Sequence, residues 1–266
     1  MSTYATNDRV HLAYEELGEG EPLLFVQGLG YDRHGFGPLP RLLAEDFRAV
    51  VFDNRGVGDS DVPAGPYTVP QLAADAIAVL DAAGIESAHV FGVSLGGFIA
   101  QDLALSHPER VRKVVLASTA PGSVPPSHPM PMRGQEAFMR FQTMEREEGL
   151  RLIVANSLGD HGVNERPELF EEIYAYRLER APSLEAWQAQ AHAGATFDAY
   201  ERIPAITAPT LVLQGGADNV IDPRNAELLA ERIPGARIEL VPDRGHLMMW
   251  EEGELLAPII REFLQS

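Results

Sequence analysis

Residues 90–97 read Val90-Phe91-Gly92-Val93-Ser94-Leu95-Gly96-Gly97 and place a serine between an apolar run and a helical pattern. The form is Gly-x-Ser-x-Gly, which carries meaning when it follows a strand and precedes a helix. The turn is so tight that Ser94 is predicted to take a strained backbone conformation. Gly92 and Gly96 have no side chains, so neighbouring backbone can pack closely there. The hydroxyl of Ser94 is then presented at the end of a sheet, by the positive end of the following helix.

A serine of this kind needs a base, because its hydroxyl is a weak nucleophile until its proton is removed. The chain has 8 histidines and no cysteine. In this topology the order along the chain is nucleophile, acid, histidine, with the histidine after the last strand. Only His246, in Pro242-Asp243-Arg244-Gly245-His246, has that place. We therefore predict that His246 is the base.

The acid that orients the histidine is expected in the loop after the apolar run Leu211-Val212-Leu213. Asp218 and Asp222 both lie in that loop. Asp222 directly precedes a proline and a helical pattern, where an aspartate serves as a helix N-cap. The sequence therefore favours Asp218 as the acid and leaves Asp222 as its competitor.

Donors for a developing oxyanion are the last requirement of such a site. One is expected to be the backbone N–H of Leu95, directly after the nucleophile. The second is expected in Gln27-Gly28-Leu29-Gly30, at the end of an apolar run, and we assign it to the N–H of Leu29.

Short apolar runs alternate with helical patterns over most of the chain. The runs lie at residues 23–26, 49–52, 89–91, 111–117, 209–213 and 237–241, and the helical patterns at 71–83, 95–106, 226–232 and 251–263. Apolar runs of this length, closed by glycine or polar residues, are typical of strands buried on both faces. The alternation predicts an α/β fold with a mostly parallel central sheet flanked by helices.

The segment 121–195 interrupts this alternation. It holds no strand-like run, and its helical patterns lie near residues 135–148, 150–158, 167–180 and 183–194. About 75 helical residues between two strands exceed an ordinary crossover. We predict a core domain of residues 1–120 and 196–266, and a helical lid of residues 121–195 inserted between strands.

The composition narrows the range of partners. Lys plus Arg is 21 and Asp plus Glu is 39, a formal net charge of −18. Such a charge repels phosphate backbones and anionic lipids, so neither nucleic acid nor a membrane is an expected partner. The absence of cysteine excludes disulfides and thiolate metal sites. No secretory signal or spanning segment is recognisable, and a cytoplasmic location is the expectation.

Five segments together form a pattern: Gln27-Gly28-Leu29-Gly30, Asp53-Asn54-Arg55-Gly56-Val57-Gly58-Asp59-Ser60, Gly92-Val93-Ser94-Leu95-Gly96-Gly97, Gly215-Gly216-Ala217-Asp218 and Gly245-His246. With them the sequence resembles the α/β-hydrolase family across essentially the whole chain, most of all its enol-lactonase, esterase and cofactor-free haloperoxidase branches. The resemblance implies a Ser94–His246–Asp218 triad and a lid between the sixth and seventh strands. It also implies that Asp53 and Arg55 are structural. Family members often have histidine where this chain has Gln27.

The expected activity follows from serine at the motif, because a serine nucleophile favours acyl chemistry. The prediction is a serine hydrolase that cleaves a small carboxylic ester or lactone through an acyl-enzyme, with no metal and no organic cofactor. Haloperoxidase or perhydrolase chemistry and carbon–carbon bond hydrolysis on the same triad remain alternatives. A non-catalytic binding member of the family is a further one. The natural substrate and the oligomeric state are not predicted.

Overall fold

The computed structural model describes residues 3–141 and 143–266 and has a central sheet with helices on both faces. The strands are β1 (Thr3–Asn7), β2 (Val10–Leu17), β3 (Glu21–Val26), β4 (Phe47–Phe52), β5 (Ala88–Val93), β6 (Val111–Ala117), β7 (Thr210–Gly215) and β8 (Arg237–Val241). The helices are α1 (Leu39–Leu43), α2 (Val69–Ala82), α3 (Leu95–Ser106), α4 (Met132–Phe141), α5 (Arg146–Glu165), α6 (Pro167–Arg180), α7 (Leu184–Thr196), α8 (Arg224–Arg232), α9 (Met248–Glu251) and α10 (Gly253–Gln265).

The sheet has the order β1-β2-β4-β3-β5-β6-β7-β8. The strands from β4 to β8 pair in parallel, so the predicted α/β class and mostly parallel sheet are confirmed. The pairs β1–β2 and β2–β4 are antiparallel. Because the carboxyl ends of parallel strands lie at one edge, the loops after β3, β5, β7 and β8 come together there.

Side chains of neighbouring strand positions pack into two separate apolar clusters. Leu24 and Val90 belong to the cluster that includes α2 and α3. Leu23 and Phe91 belong to the cluster that includes α1 and α10. Alternate residues of a strand point to opposite faces, so β3, β4 and β5 carry apolar side chains into both clusters.

The loop after β4 is held by buried ion pairs. Asp53 accepts from the N–H of Arg33 at 2.7 Å and the N–H of Asp59 at 2.8 Å, and it also pairs with the Arg33 guanidinium. The guanidinium of Arg55 pairs with the buried carboxylate of Asp75 at 2.5 and 2.6 Å. Asp53 and Arg55 therefore both have partners that hold the loop, in line with the expectation that these two residues are structural.

The chain between β6 and β7 forms α4, α5, α6 and α7 within the described residues. Two of the predicted helices differ in extent. Helix α5 runs from Arg146 to Glu165 and includes a non-helical residue, Gly159, with φ 71° and ψ −175°. Helix α4 begins at Met132 and ends at Phe141. The division into a core domain of residues 1–120 and 196–266 and a lid of residues 121–195 stays a prediction.

Among residues 3–141 and 143–266, no helix has both the length and the apolar character that crossing a bilayer requires.

Candidate active site

The predicted nucleophile lies in the turn between β5 and α3. Ser94 has φ 54° and ψ −119°, a conformation that L-residues rarely adopt. A Cβ added to Gly92 would lie 2.3 Å from the carbonyl oxygen of Gly96, and a Cβ added to Gly96 would lie 2.0 Å from that of Val26. These contacts require glycine at both positions, for the reason that the sequence indicated.

Two of the hydrogen bonds of the strained serine join it to β6 and the loop that follows β6. The N–H of Ser94 donates to the carbonyl oxygen of Ala117 at 3.0 Å. The hydroxyl of Thr119 donates to the carbonyl oxygen of Ser94 at 2.8 Å. A conformation of this kind costs on the order of 1–3 kcal/mol, and it persists where surrounding contacts compensate for the cost.

His246 and Asp218 come together at the carboxyl edge of the sheet. Nδ1 of His246 lies 2.8 Å from Oδ2 of Asp218, and both side chains are buried. Asp218 follows β7 and His246 follows β8, and these strands are parallel neighbours. The loop that carries His246 turns at Gly245, where an added Cβ would lie 2.2 Å from the carbonyl oxygen of Ser157.

Four donors surround the carboxylate of Asp218. Its Oδ1 accepts from the N–H groups of Val220 and Ile221 at 2.7 and 2.9 Å. Its Oδ2 faces His246 and also accepts from Nε2 of Gln214 at 3.1 Å. These contacts hold the carboxylate in one orientation, with Oδ2 toward His246.

The competing aspartate has a different partner. Asp222 accepts from the N–H and Nε of Arg224 at 3.0 and 2.9 Å. The guanidinium beside it lowers the pKa of Asp222 below its usual range. Helix α8 begins at Arg224 with Pro223 in the cap position, so the sequence-predicted N-cap at Asp222 was wrong by one residue.

The two proposed oxyanion donors flank the serine. A Cβ added to Gly28 would lie 3.1 Å from Cβ of Ser94, so the loop after β3 passes directly beside the nucleophile turn. Leu29 follows in this loop, and Leu95 is the first residue of α3. Within residues 3–141 and 143–266, neither Leu29 N–H nor Leu95 N–H donates to a protein acceptor.

The loop after β3 is also bonded to the inserted helices. Oε1 of Gln190, in α7, accepts from the N–H of Gly30 at 2.9 Å. Arg177, in α6, donates to the carbonyl oxygen of Gly30. The hydroxyl of Tyr176 donates to Oδ1 of Asp32 at 2.8 Å. The inserted helices therefore fix the backbone of the loop that carries Leu29.

Gln27 occupies the position where the family resemblance leads to an expectation of histidine. Its Oε1 accepts from the N–H of Gly28 at 2.7 Å, and Nδ2 of Asn54 donates to its carbonyl oxygen at 3.1 Å. Gln27 therefore shapes the loop through its neighbours and leaves the Leu29 N–H free.

Sequence reasoning missed three polar side chains of this region: Gln214, Gln190 and Thr119. Gln214 alone left a signal, because it is a polar residue inside the apolar run of β7. The partners of Gln190 and Thr119 lie far away along the chain, so no local pattern marks them.

Glu251 is a buried carboxyl close to the histidine loop. Neither of its carboxylate oxygens has a hydrogen-bond partner within the described chain, and the side chain is 4% exposed. Burial is the main cause that raises the pKa of Glu251 to about 7, and nearby Glu252 also raises it. The charges of Arg244 and Arg166 act in the opposite direction.

This carboxyl makes the stability of the protein depend on pH. The ordinary pKa of a glutamate is 4.5 and the pKa of Glu251 in the folded protein is about 7, so between these pH values the folded state holds the proton more tightly than the unfolded chain does. The contribution of this carboxyl to the stability of the folded state is therefore fully present below pH 4.5 and is lost as the pH rises through 7. We expect Glu251→Gln to match the wild type near pH 4.5 and to be more stable by about 2–3 kcal/mol at pH 8.

Denaturant unfolding at the two pH values measures this difference. Glu254→Gln, three residues away on an exposed position, is the matched control and should change stability little at either pH. Equal slopes of stability against pH for the wild type and Glu251→Gln would contradict the prediction.

No group of three or more His, Asp or Glu side chains in the described chain is placed to hold a metal ion. The chemistry of the region lies in a serine, a histidine–aspartate pair and backbone N–H groups. That combination is the set of groups that hydrolases with a serine nucleophile use.

Comparison with known proteins agrees with this class. The family model of the alpha/beta hydrolase fold matches residues 21–253, so the chain belongs to the α/β-hydrolase family.

Relatives in this family act in different ways. A poly(3-hydroxyalkanoate) depolymerase from Ectopseudomonas oleovorans is 35% identical over 246 residues, covering 92% of this chain and 84% of that protein. A 2-hydroxy-6-oxononadienedioate/2-hydroxy-6-oxononatrienedioate hydrolase from Pseudomonas putida is 29% identical over 271 residues, covering 96% of this chain and 92% of that protein. The solved structure of the enol-lactonase from Burkholderia xenovorans LB400 superposes with a TM-score of 0.87 at 25% identity, covering 99% of this chain and 100% of that protein.

Proposed function

We propose that the protein is a serine hydrolase that cleaves a small carboxylic ester or lactone through an acyl-enzyme. The observation that carries the proposal is the buried contact of 2.8 Å between His246 Nδ1 and Asp218 Oδ2, at the edge where Ser94 is presented. A serine with a purely structural role would not need a histidine at the same edge of the sheet that is itself bonded to a carboxylate. The depolymerase and enol-lactonase relatives support an ester or lactone as substrate.

The proposed reaction begins with attack of Ser94 Oγ on the carbonyl carbon. Nε2 of His246 accepts the serine proton, and Asp218 stabilises the imidazolium that forms. The N–H groups of Leu29 and Leu95 donate to the oxyanion. His246 then returns the proton to the leaving alkoxide, and water repeats the cycle on the acyl-enzyme.

The experiment that tests the proposal combines a fluorophosphonate probe with a panel of p-nitrophenyl esters and small lactones. Covalent labelling reports an activated serine, and the panel reports turnover. The proposal expects both for the wild type. A folded wild type that is neither labelled nor active would overturn it and favour a non-catalytic binding member.

Carbon–carbon bond hydrolysis on the same site is the second candidate, favoured by the relative from Pseudomonas putida. Ring-cleavage products that lose their colour on hydrolysis separate it from the ester reaction. Turnover of such a compound with no turnover of esters would replace the first proposal.

The inserted helices are proposed to act as a lid that sets selectivity. Trp187 of α7 lies over the loop after β3, since a Cβ added to Gly30 would be 2.8 Å from its Cδ1. The rings of Phe138 and Phe141 lie 6.0 and 6.4 Å from it. These rings form an apolar wall beside the proposed oxyanion donors.

Shortening this wall should admit larger acyl groups. We expect Trp187→Ala to raise the ratio of kcat/KM for long-chain over short-chain esters by about 10-fold, which is the effect of one or two methylenes in an apolar pocket. Leu184→Ala, on an exposed position of the same helix, is the control and should leave the ratio unchanged. An unchanged ratio in Trp187→Ala would contradict the proposed role.

A further inference from the structure

Helix α5 departs from helical geometry at Gly159, where φ is 71° and ψ is −175°. This combination is nearly restricted to glycine. In an unbroken helix a carbonyl accepts from the N–H four residues later. At this break the carbonyl oxygen of Ser157 accepts from the backbone N–H of His246 at 2.7 Å and lies 3.4 Å from the N–H of Leu247.

The same break contacts the loop that carries Asp218. Nδ2 of Asn219 donates to the carbonyl oxygen of Asn156 at 3.4 Å. A Cβ added to Gly159 would lie 3.6 Å from the carbonyl oxygen of Ala217, which is ordinary van der Waals contact. The break therefore meets both loops between which the His246–Asp218 hydrogen bond forms.

Apolar packing fixes the break against the histidine loop. Leu158 and Leu247 belong to one buried cluster, together with Val154 and Phe170. Directly after the helix, the guanidinium of Arg166 donates to the carbonyl oxygen of Glu251 in α9. Helix α5 is thus attached to the segment that follows His246 at two separate points.

We infer that the break of α5 at residues 156–159 is a positioning element, which sets the place of His246 relative to Asp218 through the Ser157 carbonyl. Gly159 is then a positioning residue, because it touches no reacting atom and acts through the backbone of Ser157. A segment inserted between β6 and β7 thereby completes a site whose other parts belong to the sheet. The inference rests on the proposed function.

The test is Gly159→Ala, which acts through the backbone because the added Cβ has room. Alanine favours a regular helix, and this would turn the Ser157 carbonyl away from His246. We expect kcat to fall about 10- to 100-fold, since a small displacement of a catalytic group has effects of this size. KM should stay within about 3-fold, because no substrate contact is removed.

A spectroscopic signature separates positioning from general loosening. The Nδ1–H proton of a histidine bonded to a carboxylate gives a strongly low-field proton resonance. This resonance should be present in the wild type and weakened or lost in Gly159→Ala. Gly235→Ala is the matched control, because Gly235 has φ 72° and open space around an added Cβ. It changes a glycine of similar positive φ far from the site, and it should keep wild-type kcat and the resonance.

Two results would overturn the inference. One is a kcat of Gly159→Ala within about 2-fold of the Gly235→Ala value, and the other is a loss of kcat with the low-field resonance intact. If Gly159→Ala does not fold, Asn219→Ala removes the side-chain bond to the same break. We expect it to lower kcat about 2- to 5-fold at constant KM, and unchanged kcat would overturn the inference. Fluorophosphonate labelling of the wild type tests the proposed function separately.

Discussion

Ser94→Ala is expected to abolish fluorophosphonate labelling and to lower kcat by about 10⁴-fold or more, with the fold retained. The substitution removes one oxygen atom from a half-buried position, and none of the hydrogen bonds recorded for Ser94 uses that atom. The backbone bonds to Ala117 and Thr119 therefore remain. Because only the nucleophile is lost, residual turnover should be that of backbone donors acting on bound substrate.

Ser118→Ala is the matched control for this experiment. Ser118 directly follows β6, next to the strand that precedes Ser94, and it also has a positive φ of 44°. Its hydroxyl is buried and has no hydrogen-bond partner among the described residues. Ser118→Ala should keep labelling and turnover. Labelling that persists in Ser94→Ala would place the nucleophile elsewhere and contradict the proposed function.

The strands β3 to β8 were predicted from short, mainly apolar runs, a pattern typical of buried parallel strands. Strand β8 is the exception, because its run contains Arg237 and Glu239 and is largely exposed. The hairpin of β1 and β2 was missed because its strands alternate with exposed polar residues near the edge of the sheet. Its turn at Asp8 and Arg9 has φ values of 47° and 69°. Glycine at these positions would have indicated such a turn, but Asp8 and Arg9 do not. Helix α1 was missed because Leu39–Leu43 is only five residues long.

The residues of the candidate site likewise fall into those that a local sequence pattern indicates and those that it does not. Ser94 and His246 could be proposed from the sequence because a strained turn and a glycine-containing loop leave local patterns at fixed places in the fold. Gln214 and Gly159 could not be assigned, because their roles depend on which loops meet in space. The pattern of α5 predicts a helix and gives no sign of the break, since an isolated glycine is tolerated within helices.

The hydrogen bonds around the two aspartates favour Asp218 as the acid behind His246, and on this proposal Asp218→Asn should lower kcat by about 10⁴-fold. All four contacts of the Asp218 carboxylate are with donors. An asparagine oxygen turned toward Val220 and Ile221 leaves its NH₂ group facing His246 Nδ1. The imidazole must then carry its proton on Nε2, where it cannot accept the proton of Ser94.

The reverse orientation of the asparagine side chain is unfavourable as well. Its NH₂ group would then face the two backbone N–H groups of Val220 and Ile221, at a cost of about 1–3 kcal/mol. Asp222→Asn is the control within the same loop, since Asp222 pairs with Arg224 and makes no bond to His246. It should keep kcat within about 3-fold while lowering stability slightly. Steady-state kinetics of both variants on one ester measures the contrast. A larger loss of kcat in Asp222→Asn than in Asp218→Asn would mean that the acid acting behind His246 is Asp222.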